Sequence, residues 1–189
     1  MQTASVQKIA KVLSVLVLIT FICNLIALIL MPALVGLKGN WVELIDGTMW
    51  NDPYEPINPL LYIIAMWPMV FHRFNEATVL TLFLLASGVC TAVILWQAHQ
   101  VLKTILCGTP FTMENAHALR RAAVCGFLIS AAALVRLVFS LFYTHSLQPL
   151  ATYNALFVPI FAMFGLLCLV MSALFRQAAE LKAENDLTI

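Results

Sequence analysis

The sequence predicts an all-α, polytopic membrane protein: a bundle of four transmembrane helices with cytoplasmic helix extensions. Three observations point there. Hydrophobic residues make up 62% of the 189 positions and charged residues 10%, whereas a soluble domain carries roughly a quarter charged residues because water must wet its surface. Four apolar stretches, at about 12–34, 78–97, 122–143 and 155–175, reach the roughly 20 residues needed to cross about 30 Å of hydrocarbon. The basic residues also alternate between the two sides as an even number of spans requires. With the N-terminus inside, Lys8, Lys11, Lys103, Arg120, Arg121, Arg176 and Lys182 are cytoplasmic and Lys38 and Arg73 external, a positive-inside bias. The expectation is a single membrane domain over 1–189, in a bacterial inner membrane, with both termini cytoplasmic.

The first span follows Lys8 and Lys11, which resemble the charged start of a signal peptide. Its apolar run exceeds an h-region of about 7–15 residues, so it reads as a retained span. The outer segment 35–77 divides in two. Residues 35–59 hold Glu43, Asp46, Asp52 and Glu55 among Gly36, Gly39, Pro53, Pro56 and Pro59, a composition that predicts irregular, turn-rich chain. The apolar run 60–71 is too short to span and reads as a helix lying at the interface or against the bundle. Trp41, Trp50, Tyr54, Tyr62 and Trp67 suit a belt at headgroup level.

Each span carries small or polar residues at helical spacing: Thr20, Asn24 and Ala27; Ser87, Gly88 and Thr91; Gly126, Ser130, Ala133 and Ser140; Ala162, Gly165, Cys168 and Ser172. Such stripes let helix backbones approach in lipid. Beyond Gln97, the residues Ala98, Val101, Leu102 and Ile105 continue an apolar helical face. Gly108 then offers a left-handed cap, Pro110 blocks continuation, and Thr112 is placed to N-cap the third span with Glu114 in its first turn. The fourth helix is expected to run on into the cytoplasmic tail 176–189 and to lay its Leu181 side on the face formed by Val101, Leu102 and Ile105.

Arg136 is the ionisable residue well inside a span. A charge there costs about 2.5–3.5 kcal/mol on insertion scales and often marks function, although an arginine in the outer third of a span also snorkels. With Asn24 at similar depth and Thr91 on a neighbouring stripe, it forms a candidate intramembrane polar site. The guanidinium is expected near Asn24 or an acid of the outer segment. His72, His99, His117 and His145 are dispersed, and Cys23, Cys90, Cys107, Cys125 and Cys168 lack metal-ligand spacing. No metal or other cofactor is therefore expected. Serine and cysteine lack a recognisable base and no phosphate-binding glycine loop appears, so the sequence does not read as an enzyme. Nor does it carry a basic patch with stacking aromatics for direct contact with nucleic acid.

Two short motifs remain. The connection 108–121 reads G-T-P-F-T-M-E-N-A-H-A-L-R-R, and the tail closes on L-K-A-E-N-D-L-T-I. The pattern G-x-P-F-[ST]-x-x-N-x-x-x-L-R between the second and third spans, with a terminus like L-x-x-E-N-D-L-T-[IV], resembles an uncharacterised family of bacterial four-span membrane proteins catalogued as a domain of unknown function. The resemblance implies a four-span fold and no catalytic residues. It also implies a partner, because members of that family are often encoded beside a small helix-turn-helix regulator. Candidate docking residues are Gly108, Pro110, Phe111, Asn115, Arg120 and Arg121 in the connection and Glu184, Asn185, Asp186 and Leu187 in the tail. The expected function is that of an inner-membrane regulatory or sensor protein; the alternative is a small transporter or channel subunit with a polar pathway near Arg136. The partner classes open to it are the lipid bilayer, a cytoplasmic DNA-binding regulator, and further copies of itself in a homo-oligomer.

Overall fold

Apolar periodicity at this length leaves the backbone one way to satisfy its hydrogen bonds in lipid, which is the helix. The computed structural model describes residues 2–36, 59–72 and 76–186. Its elements are α1 (Gln2–Gly36), α2 (Pro59–Phe71), α3 (Glu76–Leu106), α4 (Met113–Thr144), a short 3-10 turn (Gln148–Ala151) and α5 (Tyr153–Asp186). Among the described residues there is no strand. Four of the helices, α1, α3, α4 and α5, are long and apolar enough to cross a membrane. The short apolar run forms α2, which packs on α1 and is tied to α3 where the buried Thr78 hydroxyl donates to the Val70 carbonyl at 2.8 Å. Most of the segment expected to be turn-rich, 37–58, lies outside the described residues.

The packing is serial. α4 lies between α3 and α5, and α1 packs on α3 with α2 beside it. Ala116, Ala123, Ile129, Ala133 and Leu137 of α4 are all buried, because this helix meets neighbours on two sides. α1 is the edge: Val12, Leu16, Ile19, Ile22, Ile26 and Ile29 are exposed. In water each would cost about 25 cal/mol per Å² of apolar area; against acyl chains there is no such penalty.

Closest approach comes between α4 and α5. A Cβ on Gly126 would stand 3.3 Å from the Gly165 Cα and 2.9 Å from the Phe164 ring. The two glycines therefore let the helices close on each other, and Phe127 and Phe164 pack over the gap. Two hydroxyls clasp the same pair: Ser130 donates to the Val158 carbonyl at 2.8 Å and Ser172 to the Ala116 carbonyl at 2.7 Å. α1 is held to α3 by Asn24 Nδ2, which donates to the Gly88 carbonyl at 2.9 Å, and by a 3.1 Å hydrogen bond between Ser14 Oγ and His99 Nδ1. The small-residue stripes thus mark the helix contacts, except where a hydroxyl bonds its own helix, as Ser87 does to the Leu84 carbonyl. Thr20 donates to the Leu16 carbonyl and Thr91 to that of Ser87.

Candidate functional site

The polar site at span depth centres on Arg136, eight residues before the end of α4, or about 12 Å at 1.5 Å per residue. Here α1 ends and α3 and α5 begin, so the three other long helices deliver their termini to the same level. They enclose a cavity of about 740 Å³. Met31 and Leu34 of α1, Leu80 and Phe83 of α3 and Ala133 and Leu137 of α4 supply apolar wall, while Glu76, Arg136, Ser140 and Asn154 supply its polar groups. The half-buried Arg136 donates from Nη1 to Asn154 Oδ1 at 3.2 Å and lies over the Phe83 ring, 5.1 Å from its centroid. That cation–π contact contributes roughly 0.5–2 kcal/mol depending on desolvation. Ser140 Oγ donates to Glu76 Oε1 at 3.4 Å, and the Glu76 carboxylate is near enough to interact electrostatically with the guanidinium.

The expected trio of Arg136, Asn24 and Thr91 is not brought together. Asn24 is engaged with the Gly88 backbone, Thr91 with its own helix, and neither lines the cavity. Arg136 has Asn154 instead, and of the outer acids Glu76 shares its cavity. Glu76 is one of the outer-segment acids the guanidinium was expected to approach; Asn154 escaped sequence reasoning because it looked like ordinary polar punctuation at a span boundary. The signal was present in the depth arithmetic: a side chain about 12 Å below the end of one span reaches toward residues at the ends of its neighbours.

At the opposite end, the α3–α4 connection is a locked turn. Gly108 adopts φ +76, the left-handed conformation glycine takes without steric cost, and its N–H and that of Thr109 return to the Ile105 and Thr104 carbonyls. Thr112 caps α4, its hydroxyl accepting from the Asn115 N–H at 3.3 Å. Asn115, only 2% exposed, uses Nδ2 to donate to the Pro110 carbonyl at 2.6 Å and to Thr104 Oγ1. Phe111 packs its ring on Phe175 of α5, centroids 5.5 Å apart. Four of the six residues assigned to docking in this connection, Gly108, Pro110, Phe111 and Asn115, are thus occupied in forming it. Arg120 and Arg121 remain exposed.

α5 does continue beyond Phe175, to Asp186. It does not lay Leu181 on Val101, Leu102 and Ile105: Leu181 is 66% exposed. The contact is made a turn and a half earlier, where Phe175 meets Phe111, and beyond Ala178 and Ala179, which are still half-buried, the helix is exposed. Along it Arg176 Nε donates to Glu180 Oε1 at 2.8 Å, an i, i+4 pair. Glu184 and Asn185 lie on this exposed extension, whereas the Asp186 side chain and all of Leu187 lie outside what is described. Among the described residues no three His, Cys, Asp or Glu side chains converge as metal ligands would.

Four apolar helices of spanning length, with their charges gathered at the ends, define a multi-pass membrane protein. Residues 2–189 match the family described as "Protein of unknown function (DUF2975)", and the chain belongs to that family. No curated protein matches the chain. No solved structure matches it either.

Proposed function

We propose that this protein is a regulatory or sensor component of a bacterial inner membrane, with both termini cytoplasmic, that passes the state of the Arg136 cavity to a soluble partner. The carrying observation is the α5 extension. It is helical to Asp186 yet presents Leu181, an exposed apolar side chain, beside an intrahelical ion pair. An amphipathic helix offered in this way is a common means of docking into a groove of another protein. The basic residues Arg120 and Arg121 lie exposed on α4, just inside the turn that holds Phe111 against α5. The partner class we favour is a small helix-turn-helix regulator.

The transport reading needs a polar route through the bundle. Below the cavity the interior is filled by Ile129, Ala123 and Ala122 and by the Gly126–Gly165 approach, which supports a relay over a conduit. We assign no catalytic role to the chain. The test uses a helix-turn-helix regulator encoded beside the gene and three forms of the detergent-solubilised protein: the full chain, one ending at Ala183, and Leu181→Glu. Co-purification with the full chain and its loss in both variants, at unchanged thermal unfolding temperature, is the expected result. Unfolding of the shortened chain, or undiminished binding by both variants, overturns the docking assignment.

A further inference from the structure

The cavity beside Arg136 is a wedge. α1 and α4 both pack on α3, and about 740 Å³ lies between Met31 and Leu34 of α1, Leu80 and Phe83 of α3 and Ala133 and Leu137 of α4. A volume of this size falls within the roughly 300–1,000 Å³ of ligand sites. Its apolar walls lie on the spanning helices, and a void there forfeits dispersion contacts on every side. Something apolar and long is the natural filling.

The polar lining is equally specific. Arg136 offers a guanidinium with five N–H donors, and among the described residues its one hydrogen bond goes to Asn154. Glu76 offers a carboxylate whose one hydrogen bond among the described residues comes from Ser140 at 3.4 Å. The two charges line the same cavity without closing into an ion pair. One cation and one anion, held apart at the polar edge of an apolar wedge, are complementary to a headgroup carrying both signs.

We propose that this wedge binds a single zwitterionic amphiphile bearing a phosphate and a primary ammonium, as in an ethanolamine phospholipid. The phosphate oxygens accept from Arg136, and guanidinium–phosphate pairing favours two parallel hydrogen bonds. The ammonium donates to Glu76. The chain lies along Leu34, Leu80 and Leu137. This names the ligand of the input site proposed above and rests on that reading only for its consequence, since lipid binding is read independently of partner binding.

The test is retention by the full-length protein in detergent, followed by native mass spectrometry. Three probes are compared: palmitoyl lysophosphatidylethanolamine, palmitoyl lysophosphatidylglycerol, and phosphoethanolamine without a chain. The expected result is one-to-one retention of the ethanolamine lysolipid, with no competition from the free headgroup. Arg136→Gln is expected to weaken both lysolipids about tenfold. Glu76→Gln, at an exposed position that tolerates an isosteric change, is expected to weaken the ethanolamine lipid about tenfold and leave the glycerol lipid unchanged. Equal retention of the two lysolipids by the wild type overturns the assignment, as does an unaltered preference in Glu76→Gln. Competition by phosphoethanolamine as effective as that of the lysolipid overturns the lipid source in favour of a soluble zwitterion. Should Arg136→Gln fail to fold, Glu76→Gln alone decides.

Discussion

The two segments that stand out most in the sequence, the α3–α4 connection and the tail of α5, are treated oppositely by the structure. In the connection, the conspicuous residues are spent on building the turn: Gly108 makes it, Thr112 caps a helix, and Asn115 is buried with two side-chain hydrogen bonds. In the α5 extension, Leu181 faces outward and the Arg176–Glu180 pair is exposed on both sides. A distinctive motif is therefore not by itself a binding surface. Where polar residues cluster between two helix ends, the unpaired backbone groups of those ends are the first claim on them.

The comparison is broken or sharpened by substitution. Asn115→Ala should have the largest effect, about 2–3 kcal/mol, because it removes two hydrogen bonds at a buried position. Asn115→Asp should be no milder, since it sets carboxylate oxygen against the Pro110 carbonyl where a donor is needed. Reversible unfolding in mixed micelles reads both. A cost below about 0.5 kcal/mol for each would return the motif to recognition.

Gly108→Ala should follow, at about 1–2 kcal/mol, the cost of a left-handed residue with a Cβ. A Cβ there meets nothing within 4 Å, so the whole effect is backbone conformation. Asparagine, which tolerates this region, should cost less than alanine. If alanine and asparagine behave alike, φ is not the cause. Thr112→Ala should cost about 1 kcal/mol, the usual loss for an N-cap, measurable in the same unfolding series.

Smallest of all should be Glu180→Gln. Both its own side chain and that of its partner Arg176 are exposed, so no shift in unfolding temperature is expected from losing the pair. A clear destabilisation would show that the α5 extension is supported by something beyond its own helix. The contrast between a locked connection and an exposed tail would then fail.

Much of this was legible beforehand, for local reasons. The number of spans, the left-handed Gly108, the Thr112 cap and the small faces around Gly126, Gly165 and Ser172 all follow from residues within a turn or two of each other. Arg136 was legible as a charge within a span, with an acid of the outer segment beside it; that the acid is Glu76, and that Asn154, 18 positions away, takes the hydrogen bond, was not. The placement of Leu181 failed for a related reason. Apolar stripes on two neighbouring helices permit contact without requiring it, and the Phe111–Phe175 pair settled where that contact is made.

By itself, then, the sequence determined that the chain is helical, how many helices are long enough to cross a bilayer, and where they are capped. Hydrophobicity and backbone hydrogen bonding act along the chain and are counted residue by residue. The tertiary structure alone decided that α4 is central and α1 peripheral, that Asn115 is interior, and that a cavity gathers Glu76, Arg136, Ser140 and Asn154. Those outcomes depend on which helix faces meet, and in a chain apolar nearly all round, packing shape and a few hydroxyl and amide clasps select the partner that hydrophobicity leaves undetermined.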